Sequence, residues 1–410
     1  MGKKLKTEKL TKFLLKAIVV VALFFPVITS KMPDPEKEGA FPEFILTNVL
    51  VACFIILFFI TSVRFKKWNN HFKYFGVLIS AILFSYIFFY MRNFNNIQWE
   101  WQVINISISF AFLCVLLIFQ TDYLFDKGEI IKFAISTIVI TNLIGIIVFY
   151  KGFLSMHMYN FKPAFIPRDP NFYEVRFNWI YSYKCQYALM LLLFVGFIVT
   201  YQDKFRSRIT YTISLAILFW ALIISHTYTS LAGAMLIVVC DGIDKLITKK
   251  KIIKYLLICF FPIGICGSFF LNHMMRERNI LTLGGRISIW SASIQKILQN
   301  PQGIGNAFSK DLIVVNKATG WNVTNCHNIF LNEMLRFSVP VGAAFTLFII
   351  ITLLYAIFKN FSFLRLGIAL AFLCASNMDY SILPSELSMV MLMFYCIYFL
   401  PLTNIKETAN

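Results

Sequence analysis

The chain has 410 residues, 59% of them hydrophobic and 14% charged, with 45 Phe and a mean hydropathy of +0.71. A soluble domain usually carries about 25% charged residues, and no polar stretch here approaches the roughly 100 residues of a typical domain, so a soluble enzyme on a single anchor is excluded. The net charge of +18 raises nucleic-acid binding, a reading that fails on where the charges fall.

Apolar runs long enough to cross a hydrocarbon core as helix predict about twelve spans, near 13–30, 43–62, 72–91, 102–121, 132–150, 185–201, 209–226, 230–247, 252–271, 338–357, 361–378 and 385–402. With a cytoplasmic N-terminus, the inner segments hold 23 Lys/Arg and 8 Asp/Glu, and the outer ones 15 and 12, so the net charge is +15 inside and +3 outside. This is the positive-inside asymmetry. It is sharpest in short inner connections: Arg64, Lys66, Lys67 and Lys73; Lys204, Arg206 and Arg208; Lys249 to Lys251. The expected partner of these charges is the anionic bilayer surface, with no nucleic acid. The first span follows Lys3, Lys4, Lys6, Lys9 and Lys12, lacks a small-x-small cleavage site after it, and reads as an uncleaved helix.

The expectation is an all-α polytopic membrane protein with both termini cytoplasmic, in three stretches. Residues 1–271 hold nine spans and an outer loop at 151–184, residues 272–337 form a second outer loop, and residues 338–410 hold three spans and a cytoplasmic tail. Long loops are where function usually sits. The first loop is dense in aromatics, among them Tyr159, Phe161, Phe165, Phe172, Tyr173, Phe177, Trp179, Tyr181 and Tyr183, which suit either sugar faces or a membrane-interface belt. In the second, Ile287, Trp290, Ile294, Ile297 and Leu298 recur as one helical apolar stripe. Asn300-Pro301 stops that helix, Gly303-Ile304-Gly305 turns the chain, and a further helix starts around 325–328. The loop therefore reads as two helices joined by a turn and a polar segment, lying on the membrane surface as a lid.

His327, in Asn325-Cys326-His327-Asn328, is a candidate proton acceptor at a helix start, with a structural interfacial histidine as the alternative. Arg286, after Gly284-Gly285, suits phosphate or diphosphate oxygens, and equally a headgroup contact. Arg276, Arg278 and Arg176 are further cations for the same anion. Most of the nine cysteines fall within spans as small apolar residues, and only Cys185 and Cys326 lie near the outer face. Asp241 and Asp244 read as structural, paired near the inner end with Lys245. No His-x-x-x-His, Cys-x-x-Cys or outer Asp-x-Asp occurs, so no metal and no cofactor is expected.

Gly285-Arg286, Trp290, Pro301, Gly303, Gly305, His327-Asn328 and Gly342, in that order, resemble the signature of the O-antigen ligase and polymerase superfamily, closely over about 60 residues and elsewhere by topology alone. The resemblance implies a GT-C-like helical fold in the bacterial plasma (inner) membrane, with the catalytic loop extracytoplasmic between spans 9 and 10. It further implies metal-independent, inverting glycosyl transfer from polyprenyl-diphosphate-linked glycan. By that likeness His327 matches the family's essential His, which activates the acceptor hydroxyl, and Arg286 matches the Arg that holds the donor diphosphate; Asn328 and Trp290 stand beside them. Where many members carry Ser/Thr-Arg in a middle span, this chain has Ser225-His226-Thr227-Tyr228-Thr229-Ser230, with His226 or Tyr228 in place of the Arg. Arg176 or Arg276 would then supply the missing contact.

Within such a family a polymerase joins repeat units, while a ligase moves the finished glycan to lipid A core or another acceptor. The abundance of Phe, Ile, Lys and Asn suggests an AT-rich gene, frequent in capsule, exopolysaccharide and O-antigen clusters, and favours the polymerase, working alone or beside a chain-length regulator. A lipid-linked oligosaccharide transporter is the rival class, but it would place charges within the spans, where few occur.

Overall fold

The computed structural model describes residues 2–29, 44–65, 73–92, 97–119, 121–125, 128–167, 177–181, 183–248, 285–304, 313–359, 361–378 and 384–401. The described residues are mostly helical, at 78%. In chain order the helices are α1 (Gly2–Phe24), α2 (Leu46–Phe65), α3 (Lys73–Arg92), α4 (Ile97–Ile118), the single turn α5 (Asp122–Phe125), α6 (Glu129–Tyr150), α7 (Lys184–Thr200), α8 (Arg208–Ile224) and α9 (Tyr228–Thr248). They continue with α10 (Arg286–Gln299), α11 (Ile329–Arg336), α12 (Val339–Lys359), α13 (Phe363–Met378) and α14 (Pro384–Phe394), which runs on into a π-helical turn at Tyr395–Phe399.

Each expected span within the described residues falls on a helix, and the run near 252–271 lies outside them. The first ends early: α1 stops at Phe24, two residues before Pro26, which cannot continue a helix, and the chain turns into a strand. By length and composition, α6 and α12 can cross a membrane, whereas other apolar helices such as α7, α8 and α13 are shorter.

Helix α6 is apolar on both sides: it buries Ile130, Ile131, Ile135, Ile138 and Ile146, and still leaves large apolar side chains exposed. Thr137, Thr141 and Asn142 are buried, while Ile140, Leu143, Ile144 and Ile147 are exposed at spacings of three and four. In water each of those exposed side chains would forgo roughly 1.5–3 kcal/mol of burial. The buried polar groups are satisfied instead: Thr141 Oγ1 donates to the Leu23 carbonyl (2.6 Å) and accepts from Trp179 Nε1 (3.0 Å), and Asn142 Oδ1 accepts from the Tyr187 hydroxyl (2.8 Å). Helix α12 repeats the pattern, exposing Leu347, Leu354 and Phe358 while burying Phe345, Phe348, Ile349 and Leu353 together with Thr352. A polar knot also ties α2, α4 and α14, where Ser388 Oγ donates to Asn48 Oδ1 (2.6 Å) and Asn48 Nδ2 to Asn105 Oδ1 (2.9 Å). In an apolar surrounding such bonds hold helices together where hydrophobic contact alone does not discriminate.

Direct contacts set the helix directions around α13. Asp244 accepts from the Phe363 and Leu364 amides (2.9 and 2.8 Å), Gly367 packs on Cys240 and Gly233 on Ala371, so α9 and α13 are antiparallel and Tyr228 lies at the Met378 end. Asp244 thus caps α13, while Asp241 pairs with Lys245 as expected. Gly196 against Ile368 and Gly233 against Leu192 place the start of α7 at that same end.

A small sheet closes this end, a departure from the purely helical expectation. Its strands are β1 (Val27–Thr29), β2 (Phe44–Ile45), β3 (Phe153–Tyr159) and β4 (Lys162–Pro167), in the order β2-β1-β3-β4. The aromatic and alternating composition of 153–167 favours strand over helix there. His157, on β3 opposite Ala164, has its imidazole pushed down to about 4 by burial. Unfolded, it would titrate near 6.5, so the unfolded chain binds the extra proton between those values and stability falls as pH drops through that window. Allowing for partial exposure, the effect is at most about 2 kcal/mol. Thermal melting in detergent is expected to fall from pH 7 to pH 5 in the wild type and less in His157→Gln; equal slopes would remove His157 from the account.

Candidate functional site

Helix α10 starts where the Gly285-Arg286 pair requires it. Gly285 has a left-handed backbone (φ 83°), and a Cβ there would lie 2.7 Å from the Trp321 indole, so no other residue fits without displacing that ring. The face α10 buries is Ile289, Ser293 and Ile297, of which Ile297 packs with Ile313, Cys326 and Leu335. The expected helix is present, and its apolar stripe is divided: Ile297 is buried and Trp290 half-buried, while Ile287, Ile294 and Leu298 are exposed. Small Ser293 sits fully buried in that face. Trp290 is half-buried, its Nε1 without a hydrogen-bond partner among the described residues.

The polar segment that follows is a hairpin of β5 (Ile313–Asn316) and β6 (Trp321–Val323), not a plain loop. Its β-branched strands flank a turn that closes at Gly320 (φ 67°). Pro301 and Gly303 act as a clasp: the Pro301 carbonyl accepts from Val339 N (3.0 Å), Ile304 N donates to the Leu335 carbonyl (2.8 Å), and a Cβ on Gly303 would lie 2.6 Å from the Phe337 backbone. Gly305 lies outside the described residues.

The Asn325 to Asn328 stretch is built by local hydrogen bonds. His327 N donates to Asn325 Oδ1 (2.9 Å), and His327 takes a left-handed backbone (φ 47°), which His tolerates better than most residues. Asn328 caps α11 through Phe330 N and Leu331 N (3.0 and 3.1 Å). Its Nδ2 donates to Asn377 Oδ1 (2.8 Å), and Asn377 Nδ2 is held by the Leu373 carbonyl (2.8 Å). Arg286 Nε donates to the Met378 carbonyl, next along the same helix end. A cation at the C-terminus of α13 also suits the helix dipole.

The end of α13 therefore brings Arg286 together with His327-Asn328. Tyr228 and His226 stand at the same end of the bundle, His226 exposed on a tight left-handed turn between Ser225 and Thr227, whose hydroxyls bond at 2.7 Å. Arg176, Arg276 and Arg278 lie outside the described residues. Cys326 is fully buried, and burial pushes its thiol up to about 12 despite the Ser293 hydroxyl, so it stays protonated and is no nucleophile. Cys185 and Cys326 form no disulfide with each other. Among the described residues no group of three or more His, Cys, Asp or Glu could hold a metal ion.

Sequence reasoning missed Asn377 and the Met378 carbonyl, which anchor the two motif residues. The available signal was Ser376-Asn377, a polar pair in the last turn of an otherwise apolar helix. It also missed Asn332, whose Oδ1 accepts from Cys326 N (2.9 Å) and fixes the backbone just before His327.

No protein-family model matches the chain, and no curated protein matches it.

Proposed function

We propose that the chain is a polytopic membrane glycosyltransferase of about twelve spans that polymerises polyprenyl-diphosphate-linked oligosaccharide repeat units at the outer face of a bacterial plasma membrane. The observation that carries this reading is the meeting of Arg286 and His327-Asn328 at the end of α13. The exposed apolar faces of α6 and α12 support the membrane setting, and the charge asymmetry supports an outer placement of the sheet-bearing end.

In this reading the acceptor hydroxyl oxygen attacks the anomeric carbon of the donor sugar. The bond from that carbon to the diphosphate oxygen breaks, and the configuration inverts. His327 takes the hydroxyl proton, and Arg286 balances the charge gathering on the departing polyprenyl diphosphate. A neutral imidazole nitrogen is a proton acceptor, which suits the first task. Asn328, locked between the α11 amides and Asn377, holds the loop bearing His327 against the helix end.

Arg286→Lys tests the pairing. Lysine keeps the charge but loses the planar fork, so the KM for lipid-linked donor is expected to rise about tenfold, the worth of roughly 1.4 kcal/mol, with a smaller loss of melting temperature. A lower melting temperature with an unchanged donor KM would confine Arg286 to capping α13.

A further inference from the structure

The hairpin that closes the bundle end carries a residue its turn does not want. Strands β3 and β4 are joined through Asn160 (φ 45°) and Phe161 (φ 61°), both left-handed. Such a turn follows the strand twist and is usually filled by Asn-Gly. Asn fits the first position; a bulky ring at the second strains the backbone. The fold gains little from the ring, which is 73% exposed.

The exposed surface continues along β4. Pro163, Phe165 and Pro167 face outward while Ile166 is buried, and Phe165 packs at 5.3 Å from Phe153. As β4 is the sheet edge, its two prolines lack the donors that another strand would need, which argues against a β-strand partner. A glycan platform would want hydrogen-bonding side chains beside the rings, and Pro163, Phe165 and Pro167 supply none. Lys151 and Lys162 are exposed at the base and tip, and residues 150–167 contain no Asp or Glu. The exposed apolar stripe of α6 leads directly into this surface through Tyr150, which is 63% exposed and accepts a hydrogen bond from Trp220 Nε1 (3.1 Å). Aromatic pairs of this kind mark a membrane interface.

We propose that the β3–β4 hairpin is an interfacial anchor: Phe161 and Phe165 seat among the headgroups of an anionic bilayer surface, and Lys151 and Lys162 meet the lipid phosphates. The proposal rests on the membrane-spanning part of the reading above and not on glycosyl transfer.

The test places the photocrosslinker p-benzoylphenylalanine at position 161 of the full chain, reconstituted in vesicles of phosphatidylglycerol and phosphatidylcholine. A second sample carries it at Phe84, which is 71% exposed on α3. Lipid adducts are expected at both positions. The adduct at 161 is expected to fall several-fold in pure phosphatidylcholine or with Lys151→Glu and Lys162→Glu together. An adduct at 84 with none at 161, or capture of added lipid-linked oligosaccharide at 161 in its place, overturns the anchor and leaves the spans standing. No lipid adduct at either position overturns the membrane reading itself. Phe161→Gly relieves the strain and is expected to raise the melting temperature in detergent; a lower value would make the ring structural and also overturn the anchor.

Discussion

Replacing His327 by Gly is expected to lower the rate of glycosyl transfer by about 10²–10⁴-fold, the span typical of a lost general base. It should do so without unfolding the protein. The His327 backbone is left-handed (φ 47°), where Gly is unstrained, and the bond from its amide to Asn325 Oδ1 needs no side chain. The melting temperature should therefore hold or rise. His327→Ala, which keeps the strain, should show the same loss of transfer with a slightly lower melting temperature. Near-normal turnover in His327→Gly would return His327 to a structural role, and a collapse in stability would show that the imidazole holds the loop.

The second large effect falls at Gly342, and it is steric. A Cβ there would sit 2.3 Å from the Met334 side chain, 2.6 Å from its amide nitrogen and 2.7 Å from its Cα. Helices α11 and α12 are joined by only Phe337 and Ser338, so they cannot move apart without dragging the Pro301-Gly303 clasp with them. Gly342→Ala is expected to cost about 2–3 kcal/mol, as overpacking does where backbone blocks relief, and to reduce transfer because α11 carries the Asn328 cap. Trimming the neighbour in Gly342→Ala with Met334→Ala should recover little, since the backbone contacts remain. Wild-type melting of Gly342→Ala would show that the two helices lie further apart.

These two positions also show how much the sequence disclosed. Gly285, Gly303, His327-Asn328 and Gly342 were legible as a spaced pattern, and the fold gives most of them a physical reason: a ring over Gly285, a backbone beside Gly303, a helix cap at Asn328, a crossing at Gly342. Helix positions were legible because apolar runs are long and continuous. The buried side of α10 was not, because Ile289 and Ile297 share it with the small polar Ser293, while three equally apolar residues, Ile287, Ile294 and Leu298, stay exposed. The two hairpins were missed because their aromatic and β-branched residues were weighed as interface belt and polar linker. Asn377 and Met378 were missed because one acts through a side chain at the end of a predicted span and the other through a backbone carbonyl, and neither leaves a local motif.

The most direct measurement incubates the purified wild-type protein, in lipid and without added acceptor, with a single polyprenyl-diphosphate-linked repeat unit and separates the products by size. A ladder of lipid-linked chains is expected, with one free polyprenyl diphosphate released per bond formed. A donor that stays intact across a fair range of repeat units while crossing the bilayer in sealed vesicles would contradict it and identify a transporter, and transfer only to a separately added acceptor would contradict polymerisation and identify a ligase.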